Sequence, residues 1–262
     1  MKKIARIDQM GREVLIPERV LRIVSIVPSQ TELLVDLGLQ DRIVGVTKFC
    51  IHPEGFKREK TIVGGTKNVN IEKVRALQPD LIIGNKEENF QSDIEKLEKE
   101  FPVWMSDIIT LEDAYEFMRL IGELLDVDTT GMIQTIQAKF KQLEQQVTFN
   151  SSKLRVAYLI WNNPVMVAGT GTFIHHLLEL LHFENACNQS RYPEVDLSVL
   201  GKLDFLFLSS EPYPFKERHL EEFKKSLPGT EVILVDGEYF SWYGSRLLGA
   251  PEYFAQLLKS IS

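Results

Sequence analysis

Cysteine is scarce in this 262-residue chain: Cys50 and Cys187 lie far apart, and neither sits in a CxxC or zinc-type spacing. That excludes a disulfide framework and leaves the redox compartment unread. No apolar run is long enough to cross a bilayer, so the chain is not expected to be integral to a membrane. The opening MKKIARIDQMGREVLIPERV has the lysines of a signal sequence but no apolar stretch behind them, so the chain is expected either to be made without a signal or to have had it removed. Positive charge is outweighed, 30 Lys and Arg against 37 Asp and Glu for a formal charge of -7, which argues against nucleic acid as a partner. No nucleophile, base and orienting group stand in a recognisable arrangement. Ser29 lies in PSQT rather than GxSxG and reads as a helix cap, and AGTGT at 168–172 lacks the P-loop lysine and reads as a tight turn. Neither an enzyme nor a cofactor acting as a catalyst is expected.

What is present is a series of short apolar runs. Residues 3–8 and 13–16 flank DQMGR and predict a hairpin turned at Gly11. Residues 22–27 predict a strand, Pro28 and Ser29 a loop, 31–37 a helix closed by Gly38, and 43–47 a second strand. VRALQPDLIIGN adds a short helix and a buried strand at 81–84, and FPVWMSD supplies another strand. The first half therefore alternates β and α, the pattern of a parallel sheet wrapped by helices. From Leu111 the pattern turns helical. TTGMIQTIQAKFKQLEQQV carries Ile133, Ile136, Phe140 and Leu143 at helical spacing, and a helix of about 20 residues spans roughly 30 Å. Polar FNSSK closes it, and the strand and helix pattern then returns in LRVAYLIWNNPVMVAGTGTFIHHLLELL, LDFLFLSS and EVILVD.

The returning pattern is an internal repeat. NIEKVRALQPDLIIG from Asn70 matches EVDLSVLGKLDFLFL from Glu194 at a constant offset of 124, with Glu72 on Asp196, Asp80 on Asp204 and Ile82 on Leu206. The expected fold is α/β: two Rossmann-like lobes with mostly parallel sheets, 1–127 and 149–262, joined by one long α-helix over 128–148. A ligand cleft is expected between the lobes.

This order, with VPSQTELLVDLG, VGVTKFCIHP, VGGTKNVNIEKVRALQPDLII and DGEYFSWYGSRL in sequence, resembles the substrate-binding proteins of ABC importers for cobalamin, haem and iron-siderophore complexes. These form the helical-backbone metal receptor group, and the nearest likeness is to the cobalamin-binding branch. The resemblance implies a corrin held against aromatic side chains with few polar contacts. It matches Phe49 to a tyrosine, places Trp161 near a phenylalanine, and makes Tyr192 the aromatic of the RYPEVD loop. The family's Asp-Trp-Phe loop falls on Glu238, Tyr239 and Phe240, with its arginine displaced to Arg246. Asn85 stands where that branch has tryptophan, and Trp242 where it has the arginine. The resemblance also implies that Glu72 and Asp196, one per lobe, dock on arginines of a membrane permease, where charged pairs set orientation and association rate.

The residues themselves support a flat or anionic ligand. Tyr239, Trp242 and Tyr243 are three aromatics in five positions and are not expected all to face one core; their apolar faces and polar edges suit a macrocycle. Arg246 offers a planar fork to a carboxylate or phosphate, and Ser29 a polar contact from the PSQT loop. His52, beside Cys50, is the histidine placed for direct metal ligation, although one histidine is not a metal site. His175 and Glu179 have chelate spacing and read as structural.

The expected function is the binding of a metal chelate, a corrinoid first, and its delivery to an ABC permease by a monomer in the periplasm or at the membrane surface. An iron-siderophore or haem is the alternative cargo. Without a signal sequence, a cytoplasmic corrinoid-handling protein or enzyme of the same fold also stays open.

Overall fold

The computed structural model describes residues 2–146 and 153–261. The end of the expected linking helix at 147–148, and the FNSS of the closing segment, lie outside the described residues. The chain divides into two compact units. One comprises the residues up to Asp107, Asp113–Ile133 and Tyr243–Arg246; the other comprises Ile108–Glu112, Gln134–Trp242 and the residues from Leu247 onward.

The first unit opens with the antiparallel hairpin β1 (Lys3–Ile7) and β2 (Glu13–Pro17), turned where Gly11 has φ +72°. Buried Asp8 fastens it: its carboxylate accepts the backbone N–H groups of Met10, Arg12 and Met105 and two bonds from the Arg12 guanidinium. There follow β3 (Ile23–Ser25), α1 (Pro28–Asp36), β4 (Ile43–Val46), β5 (Thr61–Ile62) and the small hairpin β6 (Gly64–Gly65) and β7 (Asn68–Val69). Next come α2 (Ile71–Leu77), β8 (Leu81–Asn85), α3 (Gln91–Leu97), β9 (Val103–Ser106), α4 (Leu111–Leu125) and α5 (Thr130–Gln146).

The main sheet has the order β5-β4-β3-β8-β9 and is parallel throughout. Val24, Ile82 and Val103 are buried with Val74 of α2 and Ile94 and Leu97 of α3, as a sheet covered by helices requires. Helix α1 starts at Pro28, three residues earlier than the sequence suggests, because proline at the first helical position sacrifices only an N–H that would be orphaned anyway. Pro28 and Ser29 are therefore its first turn rather than a loop, and no side chain caps it.

Helix α5 begins in the first unit and continues into the second. It buries Ile136, Phe140 and Leu143 at successive turns, the stripe its sequence spacing predicts.

The second unit contains β10 (Leu154–Trp161), β11 (Met166–Val167), α6 (Phe173–Leu180), β12 (Phe183–Asn185), β13 (Phe205–Ser209), α7 (Glu217–Ser226), β14 (Glu231–Val235), α8 (Gly237–Ser241) and α9 (Ala250–Ser260). Its sheet runs β11-β10-β13-β14 with β12 also on β10; only β11 is antiparallel.

The internal repeat is visible as one clasp built twice. Asp80 accepts the backbone N–H of Arg22 at 2.9 Å, and Asp204 that of Arg155 at 2.8 Å. Each arginine then donates to carbonyls at the end of the preceding helical segment, Arg22 to Leu77 and Arg155 to Leu200 and Lys202, satisfying groups a helix end leaves orphaned. Asp204→Ala is expected to cost about 1–3 kcal/mol by stranding the Arg155 N–H. Urea denaturation checks this, with Lys202→Ala, which removes no bonded side-chain atom, as the unaffected control.

Candidate functional site

In each unit the chain leaves its first parallel strand to one side and later returns to the other, at β3/β8 and at β10/β13. Ligands of open α/β sheets bind beyond the carboxyl ends of strands at such switch points. In the first unit those ends carry a buried polar network. Gln30 Nε2 donates to Ser106 Oγ at 2.7 Å, and Asn85 Nδ2 to Ser106 Oγ at 3.0 Å. Asn85 Oδ1 accepts the N–H groups of Glu87 and Glu88, and Asn89 Nδ2 donates to the carbonyls of Ile26 and Thr66. Asn85 is thus scaffold, shaping the loop after β8.

The loop after β4 is anchored the same way. Thr31 Oγ1 lies 3.1 Å and Thr47 Oγ1 3.4 Å from the buried Cys50 sulfur, and burial pushes that thiol upward, away from reactivity. With Cys50 turned in, its neighbour Phe49 is turned out, 49% exposed, its ring resting on Gly65, where an added Cβ would come within 3.2 Å of the ring. Phe90, after β8, is 52% exposed, and the Thr66 carbonyl held by Asn89 ties this loop to the β6–β7 turn. His52 is half-buried and contributes to the field at Glu32.

In the second unit Trp161 ends β10 with 39% of its surface exposed; its Nε1 donates to the Asn163 carbonyl. Its ring meets the half-buried Tyr213 edge-on at 5.5 Å, and the Tyr213 hydroxyl reaches Nε2 of buried His219 at 3.2 Å. His219 Nδ1 accepts the Lys216 backbone N–H, and Arg218 Nε donates to the same Nε2 at 3.2 Å. Tyr192 is half-buried in a segment hydrogen-bonded to β11 through its neighbour Pro193. Tyr239 is half-buried and stacks on Tyr253 at 4.7 Å and 17°.

The structure places Phe240 and the residues of the SWYGSRL segment as follows. Phe240 has no exposed surface, packing on Tyr158 at 5.0 Å and Phe254 at 4.9 Å. Trp242 is buried in the second unit, its Nε1 donating to Glu211 at 2.6 Å, whereas Tyr243 is buried in the first, edge-on to Phe117 and facing Ser29 and Ser106. The adjacent aromatics can both be core because the chain passes from one unit to the other between them, so two cores receive them. Arg246 is not a free fork: its Nη2 and Nε donate to Glu32 of α1 at 2.6 and 3.1 Å, with both side chains largely buried. Ser29, also buried, faces Tyr243 rather than capping α1.

The two expected docking carboxylates stand at different places in their turns. Glu72 lies in the first turn of α2, highly exposed and ion-paired with Arg75, which also holds Glu100. Asp196 caps the 3-10 turn Leu197–Leu200, and the Ser198 N–H it accepts holds its carboxyl below the usual range. His175 lies 3.5 Å from Glu179 and within hydrogen-bond reach of Asn185. Among the described residues no three His, Cys, Asp or Glu side chains cluster as a metal site.

Phe90 and Tyr213 are the aromatics the sequence reading missed. The available signal was an aromatic in a polar loop just after a buried strand, Phe90 in NKEENF and Tyr213 in EPYPF.

Glu88, beside Phe90's loop, has its carboxyl pushed above the usual range by burial, against the opposing pull of Lys67. The raised folded-state value means stability linked to Glu88 is full below about pH 4.5 and is lost as pH rises through the folded value. Glu88→Gln is expected to remove that loss and flatten melting temperature against pH above 4.5; an unchanged profile contradicts this.

The family model described as periplasmic binding protein matches residues 23–205. The chain is 25% identical over 250 residues to the vitamin B12-binding protein of Pectobacterium carotovorum, covering 92% of this chain and 89% of that one. It is 27% identical over 207 residues to an uncharacterized ABC transporter substrate-binding lipoprotein of Bacillus subtilis, covering 75% of this chain and 65% of that protein's length. Among solved structures, a periplasmic heme binding protein from Pseudomonas aeruginosa superposes with TM-score 0.78 at 20% identity, over 92% of this chain and 94% of that one.

Proposed function

Because this chain belongs to the periplasmic binding protein family, we propose that it is the substrate-binding component of an ABC-type importer, that its cargo is a metal chelate, and that this chelate is a corrinoid. The observation that carries the reading is the pair of exposed aromatic faces at carboxyl strand ends, Phe49 after β4 and Trp161 at the end of β10. Rings exposed at these positions offer apolar faces that a flat ligand would cover. Corrinoid as the cargo is supported by the likeness, over most of the chain, to a vitamin B12-binding protein.

The protein acts by holding and releasing, not by catalysis, as a monomer. Phe49, Trp161, Tyr192 and Tyr239 supply apolar contact, Phe90 and Tyr213 extend it, and His52 is the candidate for contact with the metal. Trp242, Tyr243, Phe240 and Arg246 support the site from within. Glu72 and Asp196 present the carboxylates that meet a permease, and the protein works on the outer side of the membrane that holds it. No helix among the described residues is long and apolar enough to cross that membrane.

Mixing the protein with cyanocobalamin and separating by gel filtration tests the cargo. Corrin absorbance eluting with the protein is expected; its elution only with small molecules, while haemin co-elutes, transfers the reading to haem.

A further inference from the structure

We propose that Lys48, Lys57 and Lys67 form an anion-recognising rim beside Phe49 and Phe90, so that the chelate carried here bears a carboxylate or phosphodiester on its periphery. The inference rests on the chelate-carrier reading and names a chemical requirement of that cargo.

Two of the ammonium groups lie over the exposed phenyl rings, and the third reaches the backbone beside one of them. Lys48 Nζ lies 4.9 Å from the Phe49 ring centroid, and Lys67 Nζ 5.4 Å from that of Phe90. Lys57 Nζ donates to the Lys48 carbonyl at 3.1 Å. Gly65 closes the group: a Cβ there would stand 3.5 Å from Lys48 Cε as well as against Phe49. Any larger residue at 65 would push lysine and ring apart.

Several other basic side chains of the first unit are ion-paired: Arg12 with Asp8 and Glu98, Arg75 with Glu72 and Glu100, Lys86 with Asp107, Lys96 with Asp93. Among the described residues Lys48, Lys57 and Lys67 are ion-paired with no carboxylate; Lys67 bonds the Glu87 carbonyl instead, with Glu88 in its field. Ammonium groups over exposed rings offer a flat ligand an apolar face and a cationic edge at once. A neutral macrocycle would use only the rings; one with an anionic substituent uses both.

The test uses two matched pairs of probes: cyanocobalamin, which has a phosphodiester, against dicyanocobinamide, which has none, and haemin against its dimethyl ester. Affinities are measured at low and high salt for the wild type, for the triple variant Lys48→Gln, Lys57→Gln, Lys67→Gln, and for Lys73→Gln. Lys73 lies in the same segment but donates to the Ile62 carbonyl, away from the rings, and controls for general charge. The expected result is a preference of about tenfold for the anionic member of the pair that binds, weakened by salt, abolished in the triple variant and kept in Lys73→Gln. Equal affinity for both members, or a preference the triple variant retains, overturns the inference and leaves the carrier reading intact. Failure of all four probes contradicts the carrier reading itself and removes the inference with it. Circular dichroism confirms that the variants are folded.

Discussion

The double variant Phe49→Ala, Trp161→Ala is expected to bind chelate about 100-fold more weakly than the wild type, with each single change costing about 1–2 kcal/mol. Both side chains are heavily exposed and Phe49 lies on a glycine, so their removal opens no core cavity and melting temperature should hardly move. The contrast is Trp242→Ala. Its indole is buried and bonded to Glu211, so its loss creates a cavity and removes that hydrogen bond, costing about 3–5 kcal/mol of stability. Titration calorimetry with thermal melts on the same samples separates the two outcomes. A double variant of full affinity would show that the exposed rings are not the binding surface.

Arg246→Met is expected to cost about 3–5 kcal/mol of stability, because it leaves the Glu32 carboxylate in a largely buried place without its cation. Burial already holds the Glu32 carboxyl above its usual range despite the Arg246 and His52 charges that lower it. Without the arginine it rises further, so the variant should lose stability more steeply as pH climbs from about 4.5. Adding Glu32→Gln removes the stranded charge and should recover most of the loss. Urea denaturation from acid to neutral pH reads both effects. An Arg246→Met protein as stable as wild type, with weakened chelate binding, would instead return Arg246 to the ligand.

The parallel sheets were legible because their strands are short continuous apolar runs ended by Gly, Asn or Ser, and α5 because its buried positions recur at helical spacing. Asp80 and Asp204 were legible as a repeat, since each must sit just before a strand to reach the arginine that begins a neighbouring one. Helix α3 was legible only as the helix the alternation requires between β8 and β9, because QSDIEKL buries only Ile94 and Leu97 and carries too little pattern to give it bounds. The site was harder for a different reason. Sequence spacing locates an aromatic on a segment but does not say which core receives it. At 242 and 243 the chain changes units, so two adjacent rings that look surplus to one core are absorbed by two. Phe49 is displayed only because Cys50 is drawn in by Thr31 and Thr47, a three-residue arrangement spread over 20 positions.

The central claim is that the exposed strand-end aromatics hold a corrinoid. Calorimetric titration of cyanocobalamin into the wild-type protein tests it most directly. The account predicts saturable binding at one corrinoid per chain, with heat that largely disappears in the Phe49→Ala, Trp161→Ala variant. No heat with cyanocobalamin or cobinamide, from a protein that melts cooperatively, would contradict it.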